Sequence, residues 1–450
     1  MLDISDKITT FAVGYKRQRM NKELIKRLIT EYQKQPLGIE MTQRDITLTE
    51  QFNYVLVGLR RSGKSYLLYQ QVATLTAAGH KAEEMLYFNF EDDRLEGLAL
   101  ADLDLIKVCY EELYEHRPIF LLDEIQNVEG WEHFARRIAD QGYRVYITGS
   151  NAKMLSREIA GTLGGRYMIQ TVCPYSFREY LRAGGIDLEK NWRYSPQRME
   201  IRRAFDDYFY YGGLPEVQAI TRSLKRSWLN NLFSKIFFGD ILERYAIRNS
   251  MALKVMIRKL AESVKQPCSY SRLANIVSSA GKKVYTETIM DYLSYAEESC
   301  LLFSLENYAA KIAEKVSNKK YYFADNGLLN QFLFDPQSSL LENLVAVTLR
   351  SQYDNEVCFY LGDGYEVDFY LWEQNVGIQV AWSLADANTR RRETEALVML
   401  SKRQHLEEML IITVDETEEI RTEEGAVIHV VPIWEWLLGQ GKTKNRDNDR

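Results

Sequence analysis

Residues 58–65 read G-L-R-R-S-G-K-S: two glycines bracket four residues, and a lysine and a hydroxyl follow at once. That spacing suits a loop wrapped around phosphate. Gly58 and Gly63 let the backbone turn tightly enough for successive N–H groups to meet phosphate oxygens. Leu59, Arg60, Arg61 and Ser62 complete the cradle. Lys64 would reach the β- and γ-phosphates of a nucleotide, and the Ser65 hydroxyl would ligate Mg²⁺. A chance glycine turn is the bland alternative, and the context argues against it. Residues 54–57 form an apolar run that reads as a buried strand. Leu67 and Leu68 start an amphipathic helix, whose N-terminus adds partial positive charge.

Further along stand the residues that would complete hydrolysis. The apolar run 119–122 ends in Asp123 and Glu124. Asp123 would hold Mg²⁺, directly or through water, and Glu124 would act as general base on the attacking water. The run 145–148 is followed by Ser150 and Asn151, which read either as a sensor of the γ-phosphate or as a helix cap. Arg166 follows Gly164 and Gly165 just before another apolar run. It reads as an arginine finger, in cis or on a neighbouring subunit, or equally as a structural ion pair. Glu91, Asp92 and Asp93 after the run 85–90 read mainly as surface acids.

The elements that must position these residues alternate. Apolar runs at 55–57, 85–90, 119–122, 145–148 and 167–172 are separated by helical stretches at 66–78, 101–115 and 131–140. Strands alternating with helices predict an α/β unit with a parallel sheet covered on both faces. Ligands bind such sheets beyond the carboxyl ends of the strands, where the polar residues stand.

Composition adds bounds. The chain has 450 residues, 46% of them apolar, and a formal net charge of −6. A uniformly basic nucleic-acid coat is excluded. The five cysteines are scattered and form no C-x-x-C, against a disulfide framework or zinc site. No apolar run approaches the ~20 residues of a membrane span, and the N-terminus has no signal-peptide pattern. Cytoplasmic residence is the expectation.

The runs VGLRRSGKS, FLLDEIQ, ITGSNAKMLS, GGRY followed by CPYSFREYL, and later YYGGLPEV resemble a prokaryotic family of AAA+-type P-loop ATPases with a C-terminal domain of unknown function. The resemblance spans residues 40 to 440. It implies a sheet of order 5-1-4-3-2, ATP rather than GTP, and a helical lid over the nucleotide. It implies no cellular target.

The expected division is an N-terminal helical arm (1–50), the P-loop ATPase domain (51–181), a helical lid and connector (182–250), a winged-helix-like domain (251–338), a small α/β restriction-endonuclease-like domain (339–439) and a disordered tail (440–450). In the lid, Gly213 should end a helix and Pro215 start the next. The stretch 237–245 reads as amphipathic with Asp240, Glu243 and Arg244 outward. Residues 251–320 hold eleven Lys/Arg against seven Asp/Glu, a plausible phosphate-contacting face with a basic loop at 311–320. Against DNA stands the recognition helix, 286–298, which has Glu287, Asp291, Glu297 and Glu298 and no Lys or Arg. The partner of 251–440 is therefore DNA or a protein. In the last domain, Asp368 and Gln379 sit on successive strands as two metal ligands would. Ala381 stands where a nuclease needs lysine, and no other basic residue is near in sequence. An inactive scaffold is expected there, with 390–392, three arginines, as a phosphate contact or a solvated face. The oligomeric state is not legible.

Overall fold

The computed structural model describes residues 21–149, 161–362, 364–422 and 425–439. The expectations for Ser150, Asn151 and the tail lie outside the described residues. Five short apolar strands form the first sheet: β1 (Asn53–Val57), β2 (Met85–Asn89), β3 (Ile119–Asp123), β4 (Val145–Gly149) and β5 (Tyr167–Thr171). Their order is β2-β3-β4-β1-β5, and all pairings are parallel. This is the expected 5-1-4-3-2 order read from the other edge. The helices Lys64–Ala77, Leu100–Leu113 and Trp131–Asp140 share one hydrophobic core with these strands. The N-terminal helix Lys22–Tyr32 joins it through Ile25, Leu28, Ile29 and Tyr32.

A second core begins after β5. It gathers apolar residues from the helices Phe177–Ala183, Gln197–Tyr211, Arg222–Lys235, Ser250–Glu262, Tyr270–Ser279 and Thr286–Glu298. It also takes in an antiparallel sheet of β6 (Cys268–Ser269), β7 (Leu302–Leu305) and β8 (Asn318–Phe323), ordered β6-β8-β7. After the helix Gln337–Tyr353 comes a six-stranded mixed sheet of β9 (Val357–Gly362), β10 (Tyr365–Leu371), β11 (Val376–Val380), β12 (Glu408–Thr413), β13 (Glu418–Arg421) and β14 (Val427–Pro432). Its order is β13-β14-β12-β11-β10-β9. One face of this sheet belongs to the second core, and the other packs under the helix Ala387–Ser401. No helix among the described residues is long and apolar enough to cross a membrane.

Three local expectations are corrected. The stretch 311–320 is not a basic loop: Ile312–Ser317 is helical, and Lys319 and Lys320 belong to β8. Strand alternation sends these two side chains to opposite faces, and Lys320 is fully buried. Asp240 does not face outward. Residues Ile236–Glu243 form a π-helix, whose i→i+5 bonding changes which side chains share a face. Asp240 is only 3% exposed, while Glu243 and Arg244 do face solvent. Finally, the helix Gln197–Tyr211 stops at Gly212, one residue early, with φ at 79°; Pro215 then opens the helix Pro215–Ala219.

Candidate functional site

The loop that leaves β1 is held where its glycines require. A Cβ on Gly58 would fall against the carbonyl of Val172, the residue after β5. Gly63 takes φ of 97° and caps the helix Lys64–Ala77 without a side chain. The first-turn N–H groups of that helix are thus left for another acceptor. The Lys64 ammonium lies 3.2 Å from the carbonyls of both Gly58 and Leu59. It is also 4.0 Å from Glu124 Oε1. The Ser62 hydroxyl is buried in the loop with no hydrogen-bond partner among the described residues. An anion seated in the loop would meet the lysine and the helix N-terminus together.

Asp123 ends β3 and Glu124 follows in a left-handed conformation, with φ of 54°. Asp123 is buried and accepts hydrogen bonds from Thr148 Oγ1 and, at 2.8 Å, from the Tyr87 hydroxyl. Burial pushes its carboxyl up, while Thr148, Tyr87 and Ser65 hold it down by hydrogen bonding. The Glu124 N–H donates to Thr148 Oγ1 at 2.9 Å, and its carboxylate accepts from the Gln126 amide. Thr148, at the penultimate position of β4, therefore ties both acids together. Ser65, Asp123 and Glu124 offer hard oxygen donors. With nucleotide phosphates and water they fit Mg²⁺, which takes few ligands from protein. No group of three or more His, Cys, Asp or Glu among the described residues could hold a metal alone.

Arg166 is not brought to this site. It precedes β5, and its carbonyl accepts from Asn53 at the start of β1, so it lies at the opposite end of the sheet from the loop. Its guanidinium pairs with Asp140. Glu91 lies 3.6 Å from Arg60, and Asp92 is taken by Tyr32 and Arg94.

Sequence reasoning missed four contributors to the loop's setting. Thr148 and Tyr87 are single hydroxyls inside apolar runs. Arg44 lies in an irregular segment and is buried. It donates to Ser62 O at 2.9 Å, Cys173 O at 2.7 Å and Glu179 Oε1 at 3.0 Å. Asp240 accepts two bonds from Arg60, both at 2.9 Å. Arg61 pairs with Glu216 at 2.5 Å, and the Leu59 side chain is buried in the second core, not the first.

A separate acid cluster lies in the last sheet. Gln379 bridges strands, accepting from the Asp368 N–H at 2.8 Å and donating to Glu366 O at 2.9 Å. The Lys320 ammonium sits 2.7 Å from Glu366, 3.3 Å from Glu342 and 3.4 Å from Asp368. Ala381 indeed leaves its own place without a lysine, but β8 supplies one from far upstream. Burial pushes Glu342 up to about 7 despite that cation. The three arginines pair locally, Arg390 with Glu418, Arg391 with Glu395 and Arg392 with Glu393, as a solvated face would.

Residues 50–181 match the family described as AAA domain, and residues 202–339 match a domain of unknown function. The uncharacterized protein MJ1544 of Methanocaldococcus jannaschii is 33% identical over 405 residues, covering 85% of this chain and 88% of that one. An uncharacterized protein of Haemophilus influenzae is 31% identical over 397 residues, covering 86% and 94%. Among solved structures, the Walker-type ATPase paby2304 of Pyrococcus abyssi aligns at 16% identity and a TM-score of 0.39, over 69% of this chain and 95% of that one.

Proposed function

The chain belongs to the family that joins an AAA domain to a C-terminal domain of unknown function, and we propose that it is a Mg²⁺-dependent ATPase acting as a switch or remodeller. The observation that carries this reading is the convergence of loop 58–65 with the strand-end acids, in which Lys64 lies 4.0 Å from Glu124. The loop N–H groups and Lys64 bind and orient the triphosphate. Ser65 and, directly or through water, Asp123 would hold Mg²⁺. Bound there, Mg²⁺ would supply neutralisation of the phosphates' charge. Glu124 takes a proton from the attacking water, and Thr148 keeps Glu124 aimed by accepting from its N–H.

The C-terminal half would carry the target. Residues 251–323 are read here as a winged helix, a reading supported by their order of helix, β6, two helices, β7 and β8. Its last helix, Thr286–Glu298, exposes Glu287, Met290, Asp291 and Ser294. That face has no cation for a major groove, which favours a protein partner over DNA. Calorimetric titration of Mg·ATP tests the site: the full chain should bind it and Lys64→Ala should not. Equal binding by both would reject loop 58–65 as the nucleotide site.

A further inference from the structure

The phosphate loop carries three cations, Arg60, Arg61 and Lys64, and each already has an acceptor within the protein. Lys64 rests on the loop's own carbonyls. The other two are held by the helical segment 215–243. Arg60 forks onto Asp240 with two bonds of 2.9 Å, the geometry of a strong charge-assisted pair. Arg61 pairs with Glu216 at 2.5 Å and lies over the Trp228 ring. Leu59 anchors the same loop in the second core. Asp240 is nearly inaccessible, and its other basic neighbour is Arg244 at 3.7 Å. It sits in the π-helix Ile236–Glu243, which continues the helix Arg222–Lys235. Segments of π-helix are rare and occur often at functional sites.

We propose that Asp240 and Glu216 are an internal counter-charge for the phosphate loop: nucleotide phosphates compete with them for Arg60 and Arg61, and binding frees the segment 215–243. This rests on the reading of loop 58–65 as an ATP site and adds how occupancy reaches the C-terminal half. A buried carboxylate that loses its forked arginine has a strong reason to move. Linkage makes the effect reciprocal: whatever the lid acids subtract from nucleotide affinity, nucleotide subtracts from the docking of the lid. The acids are also well placed to hold the loop closed on itself, with Lys64 on its carbonyls.

The test uses the full chain and a fluorescent ATP analogue with Mg²⁺, alongside hydrogen exchange of peptides covering 236–243. Asp240→Asn should bind the analogue roughly fivefold or more tightly, and saturating analogue should speed exchange across 236–243 in the wild type. Glu216→Gln should tighten binding in the same direction. Glu216 is half-exposed, so this variant serves if Asp240→Asn does not fold, and the wild-type exchange measurement needs no variant at all. Unchanged or weaker binding by both variants, with unchanged exchange, overturns the proposal while leaving the ATP site intact. Failure of the wild type to bind, matching Lys64→Ala, overturns the ATP-site reading and this proposal with it.

Discussion

Thr148 does at the residue scale what two acids cannot do alone. Its hydroxyl donates to Asp123 and accepts from the Glu124 N–H, so one side chain fixes both strand-end acids. Thr148→Ala would leave the buried Asp123 oxygen with one donor fewer, a loss of ~1–3 kcal/mol. Thermal denaturation should show that loss for Thr148→Ala and little for Thr148→Ser; equal melting of all three proteins would contradict it. Asp325 offers a pH test. Its carboxylate accepts the N–H groups of Gly213, Gly327 and Leu328, yet burial pushes it up from 3.8 to about 6. The folded state therefore holds its proton more tightly than the unfolded chain does. Its contribution is complete below pH 3.8 and is lost as pH rises through about 6. The stability of wild type relative to Asp325→Asn should fall between those values in urea titrations. Parallel pH profiles would contradict the assignment. The acids at strand ends were legible because a parallel sheet puts ligands there. Thr148 and Tyr87 were not, because a lone hydroxyl in an apolar run looks like any half-polar strand residue.

Elements were legible where a single period dominates. The alternation of short apolar runs and helices yields the first sheet, and the helices Trp131–Asp140 and Thr286–Glu298 have the bounds their patterns predict. The misses have physical causes. The π-helix carries an apolar period that an α-helical reading misplaces, which hid Asp240. The strand β13, Glu418–Arg421, has alternating exposure at a sheet edge and little apolar signal. Lys320 was hidden because a lysine in a basic stretch reads as solvated, while β8 turns it into the acid cluster. There it joins β8 to β10 and to the helix Gln337–Tyr353 through Glu366, Asp368 and Glu342. Lys320→Ala leaves the buried Glu342 and the partly exposed Glu366 and Asp368 without their shared cation and should destabilise the protein by ~3–5 kcal/mol. Urea unfolding is the measurement; a loss under ~1 kcal/mol would mean that the carboxylates simply take up protons instead.

At the scale of the whole molecule, two hydrophobic cores meet at one loop. The first holds the parallel sheet, and the second holds the helices from residue 177 onward, the three-stranded sheet and one face of the last sheet, together with Leu59; the other face of that sheet has its own core under the helix Ala387–Ser401. Contacts between loop 58–65 and residues 215–243 were beyond sequence reading, since each joins positions about 155 to 180 apart. Composition and net charge bounded the class of protein but could not show that the helices from residue 177 to 262, the three-stranded sheet and one face of the last sheet share one core. That shared core links the loop mechanically to the C-terminal half, where ATP hydrolysis would act. Phosphate release by the purified full chain, wild type against Glu124→Gln, tests it most directly. Glu124→Gln should still bind Mg·ATP while its turnover falls ~10²- to 10⁴-fold. Turnover equal to wild type would show that Glu124 is not the base, and a wild type that binds ATP without releasing phosphate would make the protein a nucleotide-gated binding module instead.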